Sequence, residues 1–243
     1  MLTMRNVTVR YEREVLKSVT AECRRGEVTA LMGRNGSGKS TLLKAILGDV
    51  GSEGTIEYDG QLLSALPAKQ RARCVAVVEQ TVPIVPITIR DYILMGRMPY
   101  RKFFSMNYSE EDNAVVERLM LAMSIEHLAD RRMDMVSGGE RQLAAVAQAM
   151  SQEPKVLLLD EPASNLDIVN RHELYTAVVD MTRRRDMVTI VVAHDIASVK
   201  RYADKVIMLR EGSVVGSGEV GRMLDKTHLE STYGIEIDKI ADI

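Results

Sequence analysis

Gly33-Arg34-Asn35-Gly36-Ser37-Gly38-Lys39-Ser40 is a complete phosphate-binding loop, and its flanks decide the fold. Glycines at this spacing let the backbone curl until successive N–H groups point into one concavity, an anion nest. Lys39 brings a mobile ammonium to β- and γ-phosphates, and the Ser40 hydroxyl, followed by Thr41, can ligate Mg²⁺. Upstream, Glu27-Val28-Thr29-Ala30-Leu31-Met32 is apolar and β-branched, the pattern of a buried strand. Downstream, residues 40 to 47 are rich in helix formers and stop at Gly48. Strand, loop and helix N-terminus therefore succeed one another, and the helix dipole adds to the anion site.

The rest of the 243 residues extends that unit. Val7, Val9 and Tyr11, then Val15 and Val19, alternate as strands do, and Thr55–Tyr58 is a short strand ending on the turn pair Asp59-Gly60. Cys74–Val78 is a compact apolar strand closed by Glu79-Gln80. Pro83, Pro86 and Pro99 then punctuate a stretch that leads into a helical region. Ser109 is an N-cap there, with Glu110, Glu111 and Asp112 in the first turn. From residue 154 an alternating rhythm returns: a strand at 156–159, a helix at 168–184, a strand at 188–193, and a strand at 206–209 turned at Glu211-Gly212. Strands alternating with helices predict an α/β fold with a mostly parallel sheet. The expected organisation is one domain: a core of residues 1–83 and 154–225, antiparallel at its N-terminal part, a helical subdomain at 84–153, and a tail at 226–243.

Composition narrows the function. The chain has 32 basic and 34 acidic residues for a net charge of −2, so nothing electrostatic argues for nucleic acid. Two cysteines suit a reducing compartment. No apolar run approaches the roughly 20 residues needed to span a bilayer, and Met1–Asn6 lacks the apolar core of a signal peptide. His127, His172 and His228 are scattered without metal-site spacing.

Two further constellations carry chemistry. Leu157-Leu158-Leu159-Asp160-Glu161 places two carboxylates just past a buried strand, where open α/β sheets bind ligands. Asp160 can hold Mg²⁺ beside Ser40, and Glu161 can orient or deprotonate an attacking water. Ser137-Gly138-Gly139-Glu140 opens a helix whose Leu143, Val146, Ala147 and Met150 recur at helical spacing, a second helix-start phosphate cradle. The two cradles either converge on one nucleotide within the chain or each complete a neighbour's site.

Taken together, these motifs resemble the ATPase subunit of an ATP-binding cassette (ABC) transporter over nearly the whole chain. Tyr11 resembles the aromatic that stacks on adenine, residues 33–40 the Walker A loop, and Gln80 the Q-loop, a ligand for Mg²⁺ or water. Val136–Glu140 resembles the family signature, and Val156–Glu161 the Walker B strand with its catalytic glutamate. Ser164-Asn165-Leu166-Asp167 resembles the D-loop, and His194 the switch histidine. Val136 stands where leucine is usual and Glu140 where glutamine is usual.

The resemblance implies a P-loop NTPase core and a head-to-tail homodimer with ATP and Mg²⁺ shared between one copy's Walker A and the other's signature. It also implies integral membrane permease subunits as partners, a substrate-binding protein acting indirectly, and a peripheral place on the cytoplasmic face of the cell membrane. Residues 88–100, with Gly96-Arg97-Met98-Pro99-Tyr100, are similar to ATPases of iron–siderophore, haem and vitamin B12 importers, and Tyr233-Gly234 fits the same group. Molybdate and related small-solute importers share that architecture. A soluble cassette ATPase of nucleic-acid or cluster-assembly machinery and an exporter half are the competing readings. Eight of the 15 methionines fall between Met95 and Met150, as a re-packing docking surface would favour.

Overall fold

A computed structural model describes residues 1–101, 107–164 and 166–234. The chain divides into two compact units, residues 1–66 with the chain from 182 onward, and residues 67–181.

The first unit begins with β1 (Leu2–Arg10) and β2 (Glu14–Cys23), then β3 (Val28–Met32), α1 (Lys39–Leu47), β4 (Glu53–Tyr58) and β5 (Gln61–Leu62). Strands β2-β1-β4-β5 form an antiparallel sheet, the expected N-terminal β part. Asp59 and Gly60 turn β4 into β5 with φ of 48° and 79°, the left-handed pair that matches strand twist in a tight hairpin. Tyr11 falls one residue past β1, outside the strand.

The second unit holds α2 (Ala68–Cys74), β6 (Val75–Val78), α3 (Ile89–Met95), α4 (Glu110–Ala122), α5 (Gly138–Ser151), β7 (Val156–Asp160) and α6 (Ile168–Arg184), whose last turn reaches the first unit's sequence. Strands β6 and β7 are parallel. Cys74, expected in the strand, closes α2 instead. Both helix starts foreseen from sequence are capping boxes: Ser109 with Asp112 opens α4, and Ser137 with Glu140 opens α5.

The Gly96–Tyr100 segment is a structural knot. A Cβ on Gly96 would stand 2.2 Å from the Gln148 carbonyl oxygen, so only glycine lets the end of α3 meet α5. Arg97, 3% exposed, donates through Nε to Asp112 (2.8 Å) and through Nη1 to the Ser151 carbonyl and Glu153 (2.7 Å each). Tyr100 is stacked under Arg97 and Arg73 and donates its hydroxyl to the Gln152 carbonyl. Burial alone would raise the Asp112 pKa, but hydrogen bonds from Arg97 and Ser109 outweigh it and hold that carboxyl below the usual range. Met98, by contrast, is exposed, as are Met95 and Met135, whereas Met120, Met123, Met133 and Met150 are core. Half of that methionine cluster therefore packs the interior; Met106 lies outside the described residues.

The chain then returns to the first unit as β8 (Val188–Val192), α7 (Ile196–Tyr202), β9 (Lys205–Arg210), β10 (Ser213–Glu219), α8 (Val220–Met223) and α9 (Lys226–Tyr233). β8, β3 and β9 run parallel, with β10 antiparallel at the edge. Val28–Met32 and Val188–Val192 are buried throughout, as continuous apolar runs covered on both faces should be. Mostly parallel strands with a separate antiparallel sheet are the α/β class read from sequence. The tail opens as helix α9, anchored where Arg210 donates to the Ser231 carbonyl and Thr232 to the Met208 sulfur; Ile235, Ile237, Ile240 and Ile243 lie outside the described residues. Among the described residues, no helix is long and apolar enough to cross a membrane.

Candidate nucleotide site

The phosphate loop sits between β3 and α1, as its flanks required. Gly38, the N-cap of α1, has φ of 104°, a conformation that L side chains avoid, and a Cβ there would meet Leu16 at 2.7 Å. At Gly33 a Cβ would stand 2.2 Å from the Leu209 carbonyl oxygen. The loop is thus wedged against β2 and β9 with no room for side chains at its two ends. The Glu211-Gly212 turn buttresses it: Gly212 N–H donates to the Ser37 carbonyl, and Lys17 N–H to the Gly212 carbonyl. The sequence marked that turn as a hairpin only; nothing in its spacing tied it to residues 33–40.

Lys39 is buried, and its ammonium donates to the Gly33 and Arg34 carbonyls at 2.9 and 3.1 Å. A lysine folded over its own loop is poised at the concavity. Among the described residues, the Ser37 hydroxyl is buried without a hydrogen-bond partner. Arg34, Asn35, Gly36 and Ser40 face solvent, and Thr41 follows in the first turn of α1. An anion nest at a helix start, with a lysine folded over it, fits a polyphosphate. Tyr11, in the same unit, is 57% exposed, with a π face available to a base. His194 also belongs to this unit, two residues past the end of β8 and exposed, and its neighbour Asp195 caps α7 by accepting from the Ala197 and Ser198 N–H groups.

The second unit carries the acids. Asp160 ends β7, half-buried, and Glu161 follows with φ of 48°. A left-handed glutamate costs free energy and re-aims the carboxylate away from the strand direction. Gln80 donates its side-chain amide to Glu161 at 2.9 Å, joining two residues 81 positions apart. Sequence reading singled out both residues but had no signal that they touch.

The Ser137 turn has its own logic. The Ser137 hydroxyl accepts from the Glu140 N–H (3.2 Å) while Glu140 accepts from the Ser137 N–H (2.7 Å). That backbone hydrogen bond, aided by the Ser137 side chain, lowers the Glu140 pKa. The third helical position of a capping box accepts glutamate or glutamine alike, which explains why Glu140 can stand where glutamine is usual. Accepting from Glu140 leaves the Ser137 O–H as a donor. Ser137 and Gly138 are exposed, and Gly139 is half-buried. Among the described residues no cluster of three His, Cys, Asp or Glu could hold a metal alone. Ser40 in the first unit, and Gln80 and Asp160 in the second, each carry an oxygen of the kind Mg²⁺ takes, since that ion binds proteins through few carboxylates and completes its shell with phosphates and water. Asn165 of the D-loop lies outside the described residues.

Residues 16–164 match the family described as ABC transporter. The chain is 33% identical over 230 residues to the ferric enterobactin transport ATP-binding protein FepC of Escherichia coli (strain K12), covering 94% of this chain and 84% of that protein. It is 31% identical over 253 residues to the hemin import ATP-binding protein HmuV of Plesiomonas shigelloides, covering 96% and 94%. It is 32% identical over 247 residues to the phosphonates import ATP-binding protein PhnC of Wolinella succinogenes, covering 97% and 89%. Among solved structures, cbiO1 of Clostridium perfringens, part of the transporter complex cbiONQ, superposes with a TM-score of 0.82 at 26% identity over 95% of this chain and 92% of that one. The dimeric bacterial cassette MJ0796 superposes with a TM-score of 0.81 at 25% identity over 90% and 99%.

Proposed function

The chain belongs to the ABC transporter family, as an ATP-hydrolysing cassette, and on that premise we propose that it powers uptake of a metal chelate through a separate membrane permease. The observation that carries the reading is the loop itself, a glycine cradle with no space for a Cβ at Gly33 and closed by a buried lysine. The class of cargo is supported by relatives named for ferric enterobactin and hemin, both iron chelates. A relative named for phosphonates favours a second reading, in which the cargo is a small oxyanion.

Each candidate residue takes one task in this reading. Tyr11 stacks on the adenine. The amides of Gly33–Gly38, with Lys39, Ser40 and Thr41, hold the phosphates. Ser40, Gln80 and Asp160 attend Mg²⁺. Glu161 polarises the attacking water, and His194 bonds the γ-phosphate. Ser137, Gly138 and Gly139, held in place by Glu140, complete the nucleotide bound by a second copy, in keeping with the dimeric MJ0796 cassette. The core and helical-subdomain boundaries at residues 84 and 153 belong to the same proposal. Such a subunit works against the cytoplasmic face of a membrane, where the exposed Met95 and Met98 offer adaptable contacts to the permease.

Reconstitution with the permease tests the cargo. Capture protein loaded with a ferric siderophore or hemin is expected to raise ATP hydrolysis in vesicles. Stimulation by a phosphonate-loaded capture protein alone would transfer the assignment to the second reading.

A further inference from the structure

Tyr233-Gly234 has no task in the reading above, yet α9 delivers it to the phosphate loop. Gly234 ends that helix in the left-handed conformation, φ 63°, so Tyr233 is its last residue. Side chains pin this end to the strands that carry the loop. Thr232, fully buried, donates its hydroxyl to the Met208 sulfur at 3.0 Å, and Met208 pairs with Met32, the residue before Gly33. Arg210 donates to the Ser231 carbonyl at 2.8 Å, a cation at a helix C-terminus, where the dipole favours it. Leu209, its neighbour, presents the carbonyl that leaves no room for a Cβ on Gly33. The end of α9 and the start of the loop therefore lie on the same two strand ends, those of β3 and β9.

There the Tyr233 ring is half-buried, and its hydroxyl accepts a hydrogen bond from the Gly33 N–H. Burial, the larger effect, raises the hydroxyl's pKa above the ordinary tyrosine value, so it meets Gly33 as a neutral phenol at neutral pH. Gly33 is buried, has no side chain to fix it, and gives its carbonyl to the Lys39 ammonium at 2.9 Å. A nucleotide that draws Lys39 to its phosphates removes that contact and leaves the one from α9. Gly33, Gly36 and Gly38 all have positive φ, so the loop is soft as well as permissive. A soft loop must be ordered each time it binds, and contacts that order it beforehand raise affinity.

We propose that Tyr233 is a positioning residue for the nucleotide: its hydroxyl holds the Gly33 peptide, and through it the first turn of the phosphate loop, in the shape that receives phosphate. The inference rests on the nucleotide reading and goes beyond it, because it gives the tail helix a part in the site. The hydroxyl touches no phosphate and acts through the loop backbone.

Equilibrium binding of Mg²⁺-ADP to the full chain tests this, since ADP probes the phosphate loop without a γ-phosphate. Tyr233→Phe deletes the hydroxyl and keeps the ring. It is expected to raise the ADP dissociation constant about three- to tenfold, while Tm without nucleotide stays within about 2 °C of the parent. Tyr233→Leu removes the ring as well, and should lower Tm while binding ADP no more weakly than Tyr233→Phe. Unchanged ADP affinity in Tyr233→Phe overturns the proposal. So does an affinity that follows Tm, falling further in Tyr233→Leu, because the residue would then merely pack the tail. A parent chain that fails to bind ADP refutes the nucleotide reading itself, and the positioning role with it.

Discussion

Arg97→Ala should destabilise the second unit by about 3 kcal/mol without touching the phosphate loop. The arginine is 3% exposed and its partner Asp112 has a side chain 9% exposed. Truncation strands that carboxylate with Ser109 as its one remaining side-chain partner among the described residues. Breaking a buried ion pair costs about 3–5 kcal/mol, and the lost stacking of the guanidinium 3.9 Å above Tyr100 adds up to about 1 kcal/mol. Two features pull the value to the low end. Glu153, the third partner, is 40% exposed, and the cluster borders a cavity of about 590 Å³ through which water can solvate what remains. For a chain of this size the loss lowers Tm by about 6–12 °C. Arg97→Lys should fall between, because an ammonium keeps the charge and loses the planar fork. Thermal and urea unfolding by far-UV circular dichroism would measure the change, with nucleotide binding as the control. An Arg97→Ala protein within about 0.5 kcal/mol of the parent that nevertheless fails to support transport would refute the argument.

Replacing Glu161 with glutamine should cut ATP turnover by about 10²–10⁴-fold, the usual contribution of a general base, while ATP affinity stays near the parent's; normal turnover would remove Glu161 from the reaction. Met98→Glu should abolish transport in vesicles and spare stability and ATP binding, whereas a charge at Tyr100 should lower Tm as well, since that ring is held between two arginines. Glu140→Gln should leave stability unchanged and Glu140→Ala should cost about 1 kcal/mol, as loss of a helix cap does; equal Tm values for the two would contradict the capping box. Asp112 and Glu140 have folded pKa values below their ordinary ones. Their contribution is present above about pH 4–5 and lost as pH falls through the depressed values. Acid unfolding monitored from pH 5 to pH 2 should therefore shift to higher pH in Asp112→Asn.

Short-range chemistry was legible in the sequence and long-range approach was not. The phosphate loop, the helix starts at Ser109 and Ser137 and the buried runs of β3, β7 and β8 rest on patterns within about ten residues, so spacing alone placed them. Tyr100 shows the limit. Its place in Gly96-Arg97-Met98-Pro99-Tyr100 resembled an importer segment, but nothing there said that its hydroxyl reaches Gln152 or that Arg73 and Arg97 stack on its ring at 4.4 and 3.9 Å. Those partners are up to 52 residues away and carry no local signature. The Gln80–Glu161 hydrogen bond and the Gly212 buttress under Ser37 were hidden for the same reason. The tail's role was not legible either: its first part, Lys226–Tyr233, is a helix capped by Asp225, which accepts from the His228 N–H, and Ile235, Ile237, Ile240 and Ile243 lie outside the described residues.

Complementation between two crippled chains tests the central claim most directly. One carries Lys39→Ala and the other Ser137→Ala, both with Glu161→Gln to retain ATP. If one copy's lysine loop and the other's serine turn share each nucleotide, neither chain alone dimerises with ATP, but their mixture forms dimers holding one ATP per pair. A mixture that stays as monomeric as its components would mean that each chain completes its own site, and the account would be wrong.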